Sequence, residues 1–132
     1  MRVAGLEVAP EHIREDEHSR EAGLRLASEL LSLPVPPTAI FAASDTQALG
    51  VLEAAARAGI DVPRELSVIG FDDIDVAPYV GLTTIHQPLE YSGARGARLL
   101  LELVGGRNST EPVEEKLALE LVVRRTTAAP AR

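Results

Sequence analysis

Three short polar clusters, Asp16-Glu17-His18, Ser44-Asp45 and Asp72-Asp73, begin at intervals of 28 residues along the chain. Carboxylates dominate all three, so the chemistry on offer is acceptance of hydrogen bonds from a hydroxyl-bearing ligand, or oxygen ligation of a hard cation. An interval of this size accommodates one strand and one helix. Repeated twice, it returns every cluster to the same edge of a parallel sheet. That edge, beyond the carboxyl ends of the strands, is where open α/β sheets bind ligands, because strand-end loops and helix N-termini converge there.

Each of these residues also has a plainer reading. Ser44 and Asp45 can be helix caps, the role that capping preference alone favours for Asp45. Asp72 and Asp73 can be ordinary turn residues whose carboxylates bond their own backbone. His18, beside Ser19, can be a solvated loop histidine. His86, which ends an apolar run, is better suited to closing a hydrogen bond there than to acid–base work.

The elements that would position the clusters follow from hydrophobic period and punctuation. Glu11 to Glu17 is expected as a short strand. Ala22, Leu26, Ala27, Leu30 and Leu31 recur at helical spacing between the N-cap candidate Ser19 and the stop Pro34. Thr38 to Ala43 is a continuous apolar run, as expected of a parallel strand covered on both faces. A helix over Thr46 to Ala58 follows, closed by Gly59 at the position where a left-handed residue is usual. Leu66 to Phe71 is the next strand, Asp72 to Asp75 a loop, and Leu82 to His86 a short strand. A third helix spans Leu89 to Val104 and is stopped by Gly105-Gly106. Leu117, Leu119, Leu121 and Val123 alternate as a final strand, and residues 126–132 read as a tail. Alternation of β and α elements predicts one α/β domain over residues 1–125 with a mainly parallel sheet and flanking helices.

Composition narrows the functions. Of 132 residues, 45% are hydrophobic and 25% charged, which is the balance of a folding chain and not of a disordered one. Twenty acids face thirteen bases, a net charge of −7, and the single lysine is Lys116. Phosphate neutralisation supplies most affinity for nucleic acid, so no direct nucleic-acid binding is expected of this chain. With no cysteine and three scattered histidines, neither a metal site nor a cofactor is expected. No apolar run approaches the roughly 20 residues of a membrane span, and a cytoplasmic location is expected.

Four stretches, in order and in register, resemble the LacI/GalR family of transcriptional repressors. They are Pro37-Thr38-Ala39-Ile40-Phe41-Ala42-Ala43-Ser44-Asp45-Thr46-Gln47-Ala48-Leu49-Gly50; Ala58-Gly59-Ile60-Asp61-Val62-Pro63, leading into Leu66-Ser67-Val68-Ile69-Gly70-Phe71-Asp72-Asp73; Leu82-Thr83-Thr84-Ile85-His86-Gln87-Pro88; and Glu120-Leu121-Val122-Val123-Arg124-Arg125-Thr126-Thr127. The resemblance implies a periplasmic-binding-protein-like sensor of two α/β lobes with a small effector, often a sugar or nucleobase, held between them. It implies that Asp72 hydrogen-bonds the effector, and that Ser44 stands where many relatives carry a ligand-contacting Asn. His18 occupies a position where relatives often stack an aromatic ring on the ligand, and Gln87 lies where the chain crosses between lobes. With Asp45, these form the expected ligand-binding set. Leu49 and Tyr79 are implied in a homodimer contact, and Gly70 in a close approach near the site. In the family a helix-turn-helix head, a hinge and most of one lobe precede the matching region. This chain is therefore expected to be the sensing and dimer-forming part, without a complete effector cleft.

A second class of function competes with this one. Acids at three strand ends could hold Mg²⁺ in a receiver-like phosphotransfer domain or a Mg-dependent enzyme. A receiver needs a lysine just after its last strand, where this chain has Arg124-Arg125. A hydrolase lacks both a Gly-x-Ser-x-Gly elbow and a cysteine, so no catalytic residue is assigned. The third helix raises a further expectation. Tyr91, Arg95, Arg98 and Glu102 share one face, opposite Gly93, Gly96, Ala97, Leu100, Leu103 and Val104. In the family this helix, over residues 88–105, packs within the other lobe. Here its apolar face is expected to fold back on its own sheet or to meet another copy of the chain.

Overall fold

The computed structural model describes residue 5, residues 8–105 and residues 114–129. Gly106 of the expected helix stop and residues 130–132 of the expected tail lie outside the described residues.

Local chemistry forms the helices where the periodicity places them. Helix α1 (Arg20–Leu31) starts at Ser19, whose Oγ accepts the Ala22 amide at 3.1 Å. Strand β1 (Ala39–Phe41) leads to helix α2 (Asp45–Ala58), capped by Ser44 through the Gln47 amide and closed by Gly59 at φ 71°. That positive φ places a β-carbon against the following carbonyl, which glycine avoids. Strand β2 (Ser67–Asp72) is followed by a one-turn helix α3 (Ala77–Val80), strand β3 (Thr83–His86), helix α4 (Leu89–Val104) and strand β4 (Glu120–Val122).

The sheet order is β1-β2-β3-β4, with β1, β2 and β3 parallel and β4 antiparallel to β3. One face of it packs on α2, which in turn packs on α1. Ala27, Leu30, Ile40, Ala48, Val51, Ala54, Ala55, Leu66, Val68 and Leu82 form the core there, and each fully buried leucine contributes about 1.5–3 kcal/mol. No helix among the described residues is long and apolar enough to cross a membrane.

Several expectations give way to the structure. Glu11 to Glu17 forms no strand: Pro10–His12 is a 3-10 turn and an irregular segment follows. Ile13 is the only large apolar residue there and it stays exposed, while Arg14 and Asp16 are held by ion pairs to Glu29 and Arg25 of α1. Side-chain ion pairs and hydrogen bonds, and not sheet pairing, attach the segment. Strand β1 is covered on one face and not on both: Ile40 is buried, whereas Phe41 is 60% exposed and meets Phe71 edge to face at 6.4 Å between ring centroids. Residues 126–128, the start of the expected tail, are docked on the sheet. Thr126 is buried, its Oγ1 donates to the Val68 carbonyl at 2.7 Å, and the same oxygen accepts the Thr83 amide at 2.9 Å. Strand β4 is shorter than its apolar alternation suggests, because Leu117 and Leu119 have no strand partner.

Helix α4 occupies the span that its periodicity predicts, yet it does not fold back on the sheet. None of its residues is buried, and Leu100, Leu101, Leu103 and Val104 are exposed. Among the described residues its side chains are tethered at Glu115, to which Arg95 Nε donates at 2.7 Å and the Tyr91 hydroxyl at 3.5 Å.

Candidate functional site

The site is built where β2 and β3 end side by side. Asp72 pairs in register with His86, so the two residues that follow β2's last apolar position face the two that leave β3. Gln87 Nε2 donates to Asp72 Oδ1 at 2.6 Å, and His86 Nδ1 lies 3.1 Å from Asp73 Oδ2. On the far side, Arg124 Nη2 donates to Asp73 Oδ1 at 2.7 Å. Asp73 and Arg124 are largely withdrawn from solvent, at 16% and 18% side-chain exposure, so this ion pair is less screened than a surface one.

Asp72 and Asp73 both hold positive φ, 118° and 60°. For non-glycine residues such backbone costs about 1–3 kcal/mol each and persists only where its surroundings over-determine it. Asp72 itself is half-buried, and among the described residues its Oδ2 has no hydrogen-bond partner. It borders an open depression of about 660 Å³ lined also by Asp73, His86, Gln87, Glu90 and Tyr91. The arrangement offers a carboxylate oxygen for a ligand hydroxyl, an amide able to donate and accept, and an aromatic side chain on the first turn of α4.

The expected ligand set divides. Asp72 and Gln87 meet at the depression. Ser44 does not line it: its side chain is buried and caps α2 through the Gln47 amide at 3.1 Å. His18 is exposed in the loop before α1 and is also absent from the lining, although Gln47 Nε2 ties the neighbouring Glu17 carbonyl to the start of α2 at 2.8 Å. Asp45 corrects its capping reading. It is the first residue of α2 and not the cap, and its side chain is fully buried against the sheet. Its Oδ1 accepts the Thr84 hydroxyl at 2.5 Å and its Oδ2 accepts the Ile74 amide at 2.9 Å. Gly70 makes room for it, since a β-carbon there would overlap Asp45 Oδ1. The close approach expected at Gly70 is thus made by an aspartate of the same chain. Of the two interface candidates, Leu49 is half-buried and Tyr79 is 84% exposed on α3.

Sequence reasoning passed over Asp73, His86 and Arg124 as a group. The available signal was the Asp-Asp pair itself, together with arginines after the last strand. The same geometry gives the Mg²⁺ alternative no support: Asp45 is bonded inside the fold, Asp73 pairs with Arg124 and Asp16 with Arg25. Among the described residues no three His, Cys, Asp or Glu side chains gather as a metal site would require.

The periplasmic binding protein-like domain family matches residues 1–127. The chain belongs to that family. This periplasmic binding protein-like chain is similar to the HTH-type transcriptional repressor CytR of Escherichia coli strain K12, 40% identical over 131 residues, 98% of this chain and 38% of that protein. It therefore spans well under half the length of that relative. Among solved structures it is similar to a LacI family transcriptional regulator from Mycobacterium smegmatis, at a TM-score of 0.85 and 34% identity, covering 98% of this chain and 49% of that one. It is also similar to a LacI family regulator from Lactobacillus casei solved with bound sucrose, at a TM-score of 0.80 and 32% identity, covering 96% of this chain and 47% of that one. Homology to LacI-family repressors and their effector-binding domains extends over nearly the whole chain.

Proposed function

We propose that the chain is the effector-sensing part of a LacI-type bacterial transcriptional repressor, binding a small hydroxyl-rich molecule, a sugar or nucleobase-like compound, at the carboxyl edge of β2 and β3. The observation that carries this reading is the half-buried Asp72 carboxylate, bonded to Gln87 and presenting its second oxygen at the mouth of the depression. The likeness to a sucrose-bound regulator supports the ligand class, and the likeness to CytR supports the regulatory role. The reading is one of binding, since the edge offers hydrogen-bond acceptors and donors suited to holding a ligand. The net charge of −7 assigns operator contact to a part of a longer protein outside this chain, and a repressor of this kind works in the cytoplasm.

Calorimetric titration of the chain with sugars and nucleosides tests the reading. Since one edge supplies only part of a cleft, an affinity weaker than about 0.1 mM is expected, near −5.5 kcal/mol. Asp72→Ala is expected to weaken it a further 10- to 100-fold, because a hydrogen bond to a charged group contributes about 1.5–3 kcal/mol. A variant that binds as tightly as its parent would reduce Asp72 to a turn residue.

The same reading makes the protein a homodimer through Leu49 and Tyr79. Leu49 stands apart from the hydrophobics packed on the core, and Tyr79 is an exposed amphipathic ring of the kind enriched at interfaces. Leu49→Arg is expected to convert a dimer into a folded monomer, seen by light scattering as a halved mass with unchanged circular dichroism. A parent that is monomeric across a micromolar dilution series would refute the contact, and an unfolded variant would return Leu49 to the core.

A further inference from the structure

We infer that Arg124, acting through Asp73, whose other carboxylate oxygen His86 holds, is a positioning residue that keeps Asp72 in the orientation in which it presents its carboxylate to ligand; this rests on the reading of Asp72 as the ligand contact. Two consecutive aspartates hold φ of 118° and 60°, a conformation that must be enforced from outside. Enforcement comes from three separate elements. Arg124, two residues beyond β4, donates to Asp73 Oδ1 at 2.7 Å; His86, the last residue of β3, lies 3.1 Å from Asp73 Oδ2; Asp45, the first residue of α2, accepts the next amide, that of Ile74, at 2.9 Å. The residue after Asp72 is therefore gripped at both carboxylate oxygens while the residue after that is held by its backbone.

Arg124 is itself held rigidly. Its Nη1 donates to the Leu82 carbonyl at 2.8 Å and its backbone amide to Thr83 Oγ1 at 2.9 Å, both anchors at the start of β3. The guanidinium thus spans from one end of β3 to the loop beyond the other element's end, with one nitrogen on Leu82 and the other on Asp73. Only a planar fork can serve both anchors at once; a lysine ammonium on its flexible stem carries the charge without that geometry. The clamp also has a defined reach. Strands β3 and β4 flank α4 in the chain, and Gln87, which bonds Asp72, directly follows His86. Arg124 therefore ties the ligand-facing carboxylate to both chain segments that run to and from α4.

Backbone and side-chain NMR of the full chain without ligand tests the clamp. Arg124→Gln is expected to move the Asp72 amide and Gln87 side-chain NH₂ resonances and to speed hydrogen exchange at the Ile74 amide by tenfold or more. Resonances of Ala48 and Ala55, in the core face of α2, stay in place. Arg124→Lys is expected to behave like Arg124→Gln, since charge without the fork does not hold both anchors. Should Arg124→Gln fail to fold, Asp73→Asn keeps the side-chain volume and is expected to move the same Asp72 and Gln87 resonances. Unmoved Asp72 and Gln87 resonances in the folded variant, or full rescue by lysine, would overturn the clamp. Because these readouts need no ligand, a parent chain that binds no sugar removes the proposed function and leaves the clamp standing, and unmoved resonances do the reverse.

Discussion

Gly50→Ala is expected to lower the stability of the fold by about 3 kcal/mol, at the upper end of what overpacking usually costs. Helices α1 and α2 cross where Gly23 and Gly50 lie against each other. A β-carbon on Gly50 would overlap the Arg20 carbonyl oxygen and the Leu24 amide nitrogen and sit 2.9 Å from the Gly23 carbonyl carbon. All three are backbone atoms of α1, so no side-chain rotation relieves the contact and the helices must separate. Separation loosens Ala27, Leu30, Ala48 and Val51 together, and it disturbs the start of α2, where Ser44 and Asp45 do their work. Urea unfolding checks this: with a slope of about 1.5 kcal/mol per molar, the midpoint falls by about 2 M. Gly93→Ala and Gly96→Ala supply the contrast. Nothing lies within 4 Å of a β-carbon at either position of α4, and there alanine is expected to raise helix stability by up to about 1 kcal/mol each. If Gly50→Ala unfolds at the parental midpoint, the backbone contact between α1 and α2 is not as close as described.

Asp45→Ala is expected to cost about 3 kcal/mol or more as well, for a different reason. The carboxylate is wholly buried, and its loss strands the Thr84 hydroxyl and the Ile74 amide inside the fold. Each unsatisfied buried group costs about 1–3 kcal/mol, and the emptied volume under Gly70 adds to this. Asp45→Asn keeps one acceptor oxygen and is expected to lose only about 1–2 kcal/mol, the difference between charged and neutral hydrogen bonds. Local consequences distinguish this from a general loosening. Exchange of the Ile74 amide accelerates even where the chain stays folded, because its acceptor is gone, while the cap at Ser44 and the amides of α2 keep their protection. An Asp45→Ala chain as stable as its parent would mean that Thr84 and Ile74 find other partners.

The sequence alone determined what depends on near neighbours. Ser19 and Ser44 as caps, Gly59 as the helix end, the span of α4 and the α/β order all follow from contacts within a turn or two, and the structure has them at or within a residue of the expected places. The 28-residue spacing puts Asp72 at a strand end, and the motifs around it carry the resemblance to the family.

What spacing could not decide was which way a strand-end residue faces and whom it meets. Asp45 turns inward because Gly70 and Thr84, on two other strands, leave room and a donor for it, and Thr84 is 39 residues away. Asp73 meets Arg124 across 51 residues, and Thr126 leaves the expected tail to bond Val68 and Thr83 across 58 and 43 residues. Phe41 belongs to an apolar run that reads as doubly covered, yet burial is a property of neighbours in space, and on its face of β1 Phe41 meets the Phe71 ring with no covering helix among the described residues. A hydrogen bond over such distances is selected only once the whole sheet has closed, since each partner is also compatible with solvent or with several others. Periodicity encodes the face a residue takes on its own element; the packing of elements on one another decides what that face touches.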